Sequence, residues 1–243
     1  MLRIGFAILA AAWLAGCVST TNSDLSVTDR GTVIPSVRAS VDIAPRIQAP
    51  AIPHSGHSIE FAISGTSGDD VQGLAATDPQ VVFGGQTFAA PNSLHHEFDF
   101  GFVELAYRFR HFFGDGSFGI EALGGLGFAE FNLTTTSATR RAQEKLSNGG
   151  LLAGFGVIWK FLPSTSLQSR LTVFGSGERE DVTGAARFDL YVAQRLGRHV
   201  ALRGGVVGWG ITSTREASEN FISPNSRIRA RFSGLGLGLD VMF

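Results

Sequence analysis

From residue 57 onward, apolar and polar residues alternate with a period of two, the pattern of strands with one apolar face. Ile59, Phe61 and Ile63 alternate with Glu60, Ala62 and Ser64. Over about 96–112, Val103, Leu105, Tyr107 and Phe109 share a face against Glu104, Ala106, Arg108 and Arg110. Phe98, Phe100 and Phe102 precede them in the opposite phase. Two devices would reconcile the halves: a β-bulge near Phe102, or a strand whose outer part leaves an apolar environment. Four further runs follow: Phe118 to Phe128, Leu151 to Phe161, Leu167 to Val173 and Ala186 to Val192. Val200 to Val206 and Leu235 to Phe243 complete the set. The pattern predicts an all-β fold of eight antiparallel strands, and no helical period competes.

Short turns and longer connections alternate. Gly114-Asp115-Gly116-Ser117, Pro163-Ser164-Thr165-Ser166 and Leu196-Gly197-Arg198-His199 are tight, with the residue types that turns require. The others run roughly over 68–94, 134–147, 176–183 and 213–226. This alternation is the pattern of an up-and-down transmembrane β-barrel, with short turns periplasmic and long loops extracellular. Eight strands would return both ends of the barrel to the periplasm.

The chain before residue 57 differs. Residues 1–16 carry Arg3 and an apolar run from Ile4 to Leu14, too short to span a bilayer and read as a signal peptide. Residues 17–56 are rich in Ser, Thr and Pro, with apolar residues out of period. They read as a flexible periplasmic linker, and the barrel as 57–243.

Composition narrows the function. The 243 residues include 31 Gly, 20 Phe and one Cys, with formal net charge −1. No electrostatic case exists for nucleic acid, and one Cys excludes an intramolecular disulfide. No P-loop or dinucleotide fingerprint is present, and no cofactor is expected. The face opposite the apolar one carries Glu60, Glu104, Glu121, Asp189 and Asp240 against Arg108, Lys160, Arg170, Arg187 and Arg203. Buried charges must be paired, so this set predicts a charge-balanced, plugged lumen. Arg227, Arg229 and Arg231 share one parity beside the last apolar run and point outward on its register, at the height of lipopolysaccharide phosphates. Aromatics are expected at both interfaces: Tyr107, Phe118, Trp159 and Phe243 at the turn end, Phe128, Phe131, Trp209 and Phe232 at the loop end. Ser93, His95, His96 and Glu97 are the one cluster near the outer rim with the residue types of a hydrolase or, with ligands from another loop, a metal site.

Two resemblances add to this. Leu14-Ala15-Gly16-Cys17 resembles the lipobox of bacterial lipoproteins, which implies cleavage before Cys17 and lipidation of its thiol. The barrel segment resembles the outer-membrane superfamily that includes the OmpA transmembrane domain, OmpX and the opacity proteins. Leu239, Val241 and the terminal Phe243 are similar to that group's assembly signal, implying recognition by the barrel-assembly machinery. The lipobox departs from most members, which carry a plain signal peptide. The combined expectation is a non-enzymatic outer-membrane barrel lipoprotein acting in envelope integrity or surface interaction. A lipid A-modifying enzyme and a narrow channel are the alternatives.

Overall fold

A computed structural model describes residues 24–43, 55–78, 80–177, 181–215 and 226–243. Residues 1–16, read from the sequence as a signal peptide, and Cys17 lie outside the described residues. The strands are β1 (Asp24–Asp42), β2 (Ser55–Leu74), β3 (Val81–Phe83), β4 (Gln86–Phe88), β5 (Asn92–Phe113) and β6 (Phe118–Thr136). After them come β7 (Arg141–Leu162), β8 (Thr165–Gly177), β9 (Asp181–Arg195), β10 (Val200–Arg215) and β11 (Ser226–Met242). Nine of them close a barrel in the order β1-β11-β10-β9-β8-β7-β6-β5-β2, and β3-β4 form a separate hairpin. The chain is an all-β barrel.

Among the described residues the barrel strands number nine, not the expected eight, and the extra strand is β1, from the segment read as linker. Around a closed ring of alternating strands, an odd number leaves the first and last pointing the same way. β1 and β11 accordingly pair in parallel, Asp24 opposite Arg227 and Ser40 opposite Met242, while β1 pairs antiparallel with β2 from Ser36 to Asp42. The barrel is therefore mixed. Its first strand starts at the rim of the long connections and its last ends at the rim of the tight turns, so the two ends of the barrel lie on opposite rims.

A bulge hides β1 from a reading of the sequence. Leu25 and Val27 are buried at odd positions, whereas Ile34, Ser36, Arg38 and Ser40 are buried at even ones. The phase changes at Gly31, where the register with β11 slips between Arg30 and Thr32 and φ is +94°, a left-handed conformation that glycine adopts without steric cost. Across this seam, a Cβ at Gly234 would meet the Thr32 carbonyl oxygen, so only glycine lets β11 approach β1 there.

The inverted phase in β5 needs no bulge. Even positions face inward throughout, from Leu94 to Arg108. The surroundings invert instead. Toward the turn rim, the outward positions are Val103, Leu105 and Tyr107, and the inward ones Glu104, Ala106 and Arg108. Toward the loop rim, the outward positions are Ser93, His95, Glu97 and Asp99, and the inward ones Leu94, Phe98, Phe100 and Phe102. The neighbours invert at the same height. In β6 the outward face passes from Leu126 and Phe128 to Glu130, Asn132 and Thr134, and in β7 from Leu151 to Ser147, Lys145 and Gln143. Gly101 pairs with Glu130 and Phe128 with Gly149, so these switches form one level line.

The barrel thus has two halves. The loop-side half has a polar exterior and an aromatic core: Phe98, Phe100, Phe102, Phe131, Phe174, Trp209 and Phe232 are all buried. Phe100 lies 4.8 Å from Trp209 and 5.1 Å from Phe232 between ring centroids. Phe131, Trp209 and Phe232 therefore belong to the core and not to an interfacial girdle. The β3-β4 hairpin covers this end. Phe83 and Phe88 are almost fully buried, and the hairpin touches both β1 and β7, which lie on opposite sides of the ring. Because β6 and β7 run on beyond the expected loop, residues 137–140 suffice to connect them.

Candidate functional site

The turn-side half has an apolar exterior and a charged interior. Alternation is the local cause: residues that put Leu105, Leu171 and Leu202 outside put Glu104, Arg170 and Arg203 inside. Arg170, on β8, lies at the centre. Its Nη1 donates to Glu60 Oε1 at 2.6 Å and its Nε to Glu121 Oε1 at 2.7 Å. Arg108 binds the same two acids, Nη1 to Glu60 Oε2 at 3.0 Å and Nε to Glu121 Oε2 at 2.9 Å. Arg38 of β1 brings Nε to 3.1 Å from Glu60 Oε1. Glu60, fully buried, is thereby shared by three guanidinium groups from three strands.

A second group adjoins it. Arg187 Nε donates to Asp189 Oδ1 at 2.8 Å, and its Nη1 stands 3.8 Å from Glu104 Oε2. Arg203 Nε lies 2.7 Å from Asp240 Oδ1. Arg203 also sits over the Tyr191 ring at 4.7 Å, and Arg187 over the Trp209 ring at 5.4 Å. The Arg187–Trp209 cation–π contact joins the charged half to the aromatic core above it.

Nine of the ten lumen residues expected from sequence are brought together here. Lys160 is not. Its side chain faces the turn rim, exposed, with Nζ 3.6 Å over the Phe112 ring. Arg38 occupies its place in the balance: five arginines (38, 108, 170, 187, 203) face five acids (60, 104, 121, 189, 240). The only sequence signal for Arg38 is its parity with Ser36 and Ser40, legible once β1 is known to be a strand. Forked guanidinium groups suit such sharing, because each presents several donors in one plane. The network lies in the lumen of the turn-side half.

The outer cluster is split between two faces: Ser93, His95 and Glu97 are outward and His96 is inward. His95 and His96 are adjacent on a strand and so face opposite sides. His95 is outward, 3.6 Å from Glu97. His96 is buried, with Nδ1 3.0 Å from Thr135 Oγ1 and Nε2 3.3 Å from Gln72 Oε1. Burial pushes the His96 imidazole down to about 4, with His95 acting in the same direction and Asp70 opposing. The imidazole is a neutral core group.

On β11, Arg231 is exposed and Arg229 partly so, both on the outward parity of Leu235 to Phe243. Arg227 enters the register opposite Asp24. Arg30 of β1 is likewise exposed and stands opposite Ser233. It joins the outward arginines just above the apolar band, another residue hidden with β1. No family model matches the chain, and neither a curated protein nor a solved structure matches it.

Proposed function

We propose that this protein is a non-enzymatic β-barrel of a bacterial outer membrane, closed to permeation, which contributes to envelope integrity or surface interaction through its loop-side half. The observation that carries the reading is the level at which the outward faces of β5, β6 and β7 pass from apolar to polar. A soluble barrel has no reason to expose Leu126, Leu151, Phe155, Leu235 and Leu237, all more than half accessible. A contiguous apolar exterior of that kind marks a lipid contact. On β6 the band runs from Phe118 to Phe128. With strand rise and tilt this is about 25 Å, the height of the apolar band of outer-membrane barrels. Tyr107, Phe113, Phe118, Trp159, Phe161 and Phe243 are exposed at its turn end, where an interfacial girdle belongs.

In this reading the loop-side half projects from the bilayer, and the hairpin, aromatic core and ion network stack as three barriers to ions. Arg30, Arg229 and Arg231 lie at the height of lipopolysaccharide phosphates. A channel would need the network to part. A lipid A-modifying enzyme would need a nucleophile bonded to its base; Ser93, His95 and Glu97 share the outward face of β5, and among the described residues no hydrogen bond joins the Ser93 hydroxyl to His95.

Lipidation of Cys17 belongs to the same proposal, with a changed topology. From residue 17 to residue 24 the chain reaches at most about 25 Å. The 19 residues of β1 rise about 45 Å along a tilted barrel wall. An acyl chain on Cys17 therefore enters the leaflet at the loop rim.

The test is expression in a Gram-negative host, fractionation and gel migration. The proposal expects an outer-membrane protein whose mobility changes on heating and which gives no conductance steps in planar bilayers. Recovery as a soluble protein with unchanged mobility would refute it.

A further inference from the structure

The turn-side mouth of the barrel holds a half-open cavity of about 140 Å³, below the ion network. Its charged lining is one-sided: Arg38, Arg108, Arg110, Lys160 and Arg195 against Asp240. Arg38, Arg108 and Asp240 are committed to the network above. Arg110 reaches Asp42 at 3.1 Å, at the exposed turn rim on the inward parity of both strands. Lys160 and Arg195 have no carboxylate within 4 Å among the described residues. Arg195 and Arg110 both lie near enough to Lys160 to repel its charge.

Among the described residues, Asp42 and Asp115 at the turn rim have partners of their own. Asp115, in the β5-β6 turn, accepts from the Ser117 N–H. The lumen is already balanced five against five, so Lys160 and Arg195 are surplus charge. Neutral groups line the same cavity: the Ser164 and Ser166 hydroxyls accept from Gln194 Nε2 and Gln168 Nε2, each at 3.1 Å, and have their own protons to donate, while the Thr165 hydroxyl donates to Gln194 Oε1 at 2.6 Å.

The geometry points to a binding site for a compact, freely diffusing oxyanion, a phosphate or carboxylate group, held by Lys160 and Arg195 and oriented by the β7-β8 turn hydroxyls. Lys160 shares the inward parity of β7, while Trp159 and Phe161 face outward. The site therefore opens to water at the barrel mouth and not to lipid. Two cations and several hydroxyls around a volume of this size suit one phosphate-sized group, and a partly desolvated cavity strengthens the attraction.

The experiment uses the purified full chain in uncharged maltoside micelles, so it depends on the folded barrel alone and not on its membrane assignment. Inorganic phosphate is titrated by calorimetry at constant ionic strength, with acetate, chloride and glycerophosphoglycerol as parallel probes. Saturable one-site phosphate binding is expected. It should weaken about tenfold or more in the Lys160→Gln, Arg195→Gln double variant and persist in Lys160→Arg and in Arg198→Gln. Acetate should bind more weakly, and chloride without saturation. Tighter binding of the glycerophosphoglycerol diester would overturn the assignment in favour of a lipid headgroup. Phosphate binding absent from the wild type, or unchanged in the double variant, would overturn the site. Thermal melting of each variant verifies folding, and Lys160→Glu, which keeps a long side chain at the rim, provides a second loss-of-binding variant.

Discussion

Arg38 Nε lies 3.1 Å from Glu60 Oε1, across the junction of β1 and β2. This contact ties the strand least visible in the sequence to the most shared acid in the lumen. It also fixes which cations the fold needs. Arg38 is inside the balance and Lys160 outside it.

Arg38 and Lys160 should therefore respond differently to neutralisation. Arg38→Gln leaves a deficit of one positive charge beside buried Glu60 and Asp240 and should cost about 3 kcal/mol or more. Lys160→Gln removes an exposed cation with no carboxylate partner among the described residues and should change stability by less than about 0.5 kcal/mol. Urea unfolding of both variants in the same detergent measures the difference, and equal effects would contradict the assignment of the balance.

The parallel seam has its own weak point. A side chain at Gly234 would collide with the Thr32 carbonyl oxygen. Backbone cannot yield there without losing β1-β11 pairing, so Gly234→Ala should destabilise by about 2–4 kcal/mol. Gly204→Ala, where a Cβ meets nothing within 4 Å, is the matched control and should be near neutral. Thermal melting of the two variants decides it.

His96 predicts a pH dependence. Its folded value is about 4, against an ordinary 6.5. Between those values the unfolded chain takes up a proton that the folded chain refuses. Its contribution is therefore fully present above about pH 6.5 and lost as pH falls toward 4. The loss is at most about 3 kcal/mol. His96→Gln should flatten this part of the stability profile, read from melting temperatures at about pH 7 and about pH 4.5. An unchanged slope in the variant would assign the acid sensitivity elsewhere.

Nine strands also predict sidedness. An epitope inserted after Thr20 should be accessible to antibody on intact cells, while one fused after Phe243 should need a permeabilised outer membrane. The reverse pattern would mean that β1 does not enter the barrel from the loop rim.

Much of the barrel is legible because alternation dominates it, and nine of the ten lumen charges follow from parity alone. What stays hidden has physical causes. Gly31 shifts the phase of β1 midway, so Leu25, Val27, Ile34 and Arg38 read as unpatterned. With β1 unseen, the strand count comes out even, and Arg38 and Arg30 escape notice. The inversion at Phe102 is visible, but sequence alone does not choose between a bulge and a change of surroundings. The buried ring cluster of Phe98, Phe100 and Phe232 selects the second. Phe131 and Trp209 read as girdle residues because their height along the strand is right for one. Their inward parity in the loop-side half places them in the core instead.

The central claim is that the turn-side half lies in lipid and the loop-side half in water. Single cysteines in a Cys17→Ser background test it most directly, at Glu97, Asn132 and Gln143 above the line and at Leu105, Leu126 and Leu151 below it. The protein is reconstituted in vesicles and exposed to a water-soluble maleimide. The account predicts rapid labelling of the first three and protection of the second three, with labelling of the latter restored in denaturant. Equal, rapid labelling at all six positions would contradict it.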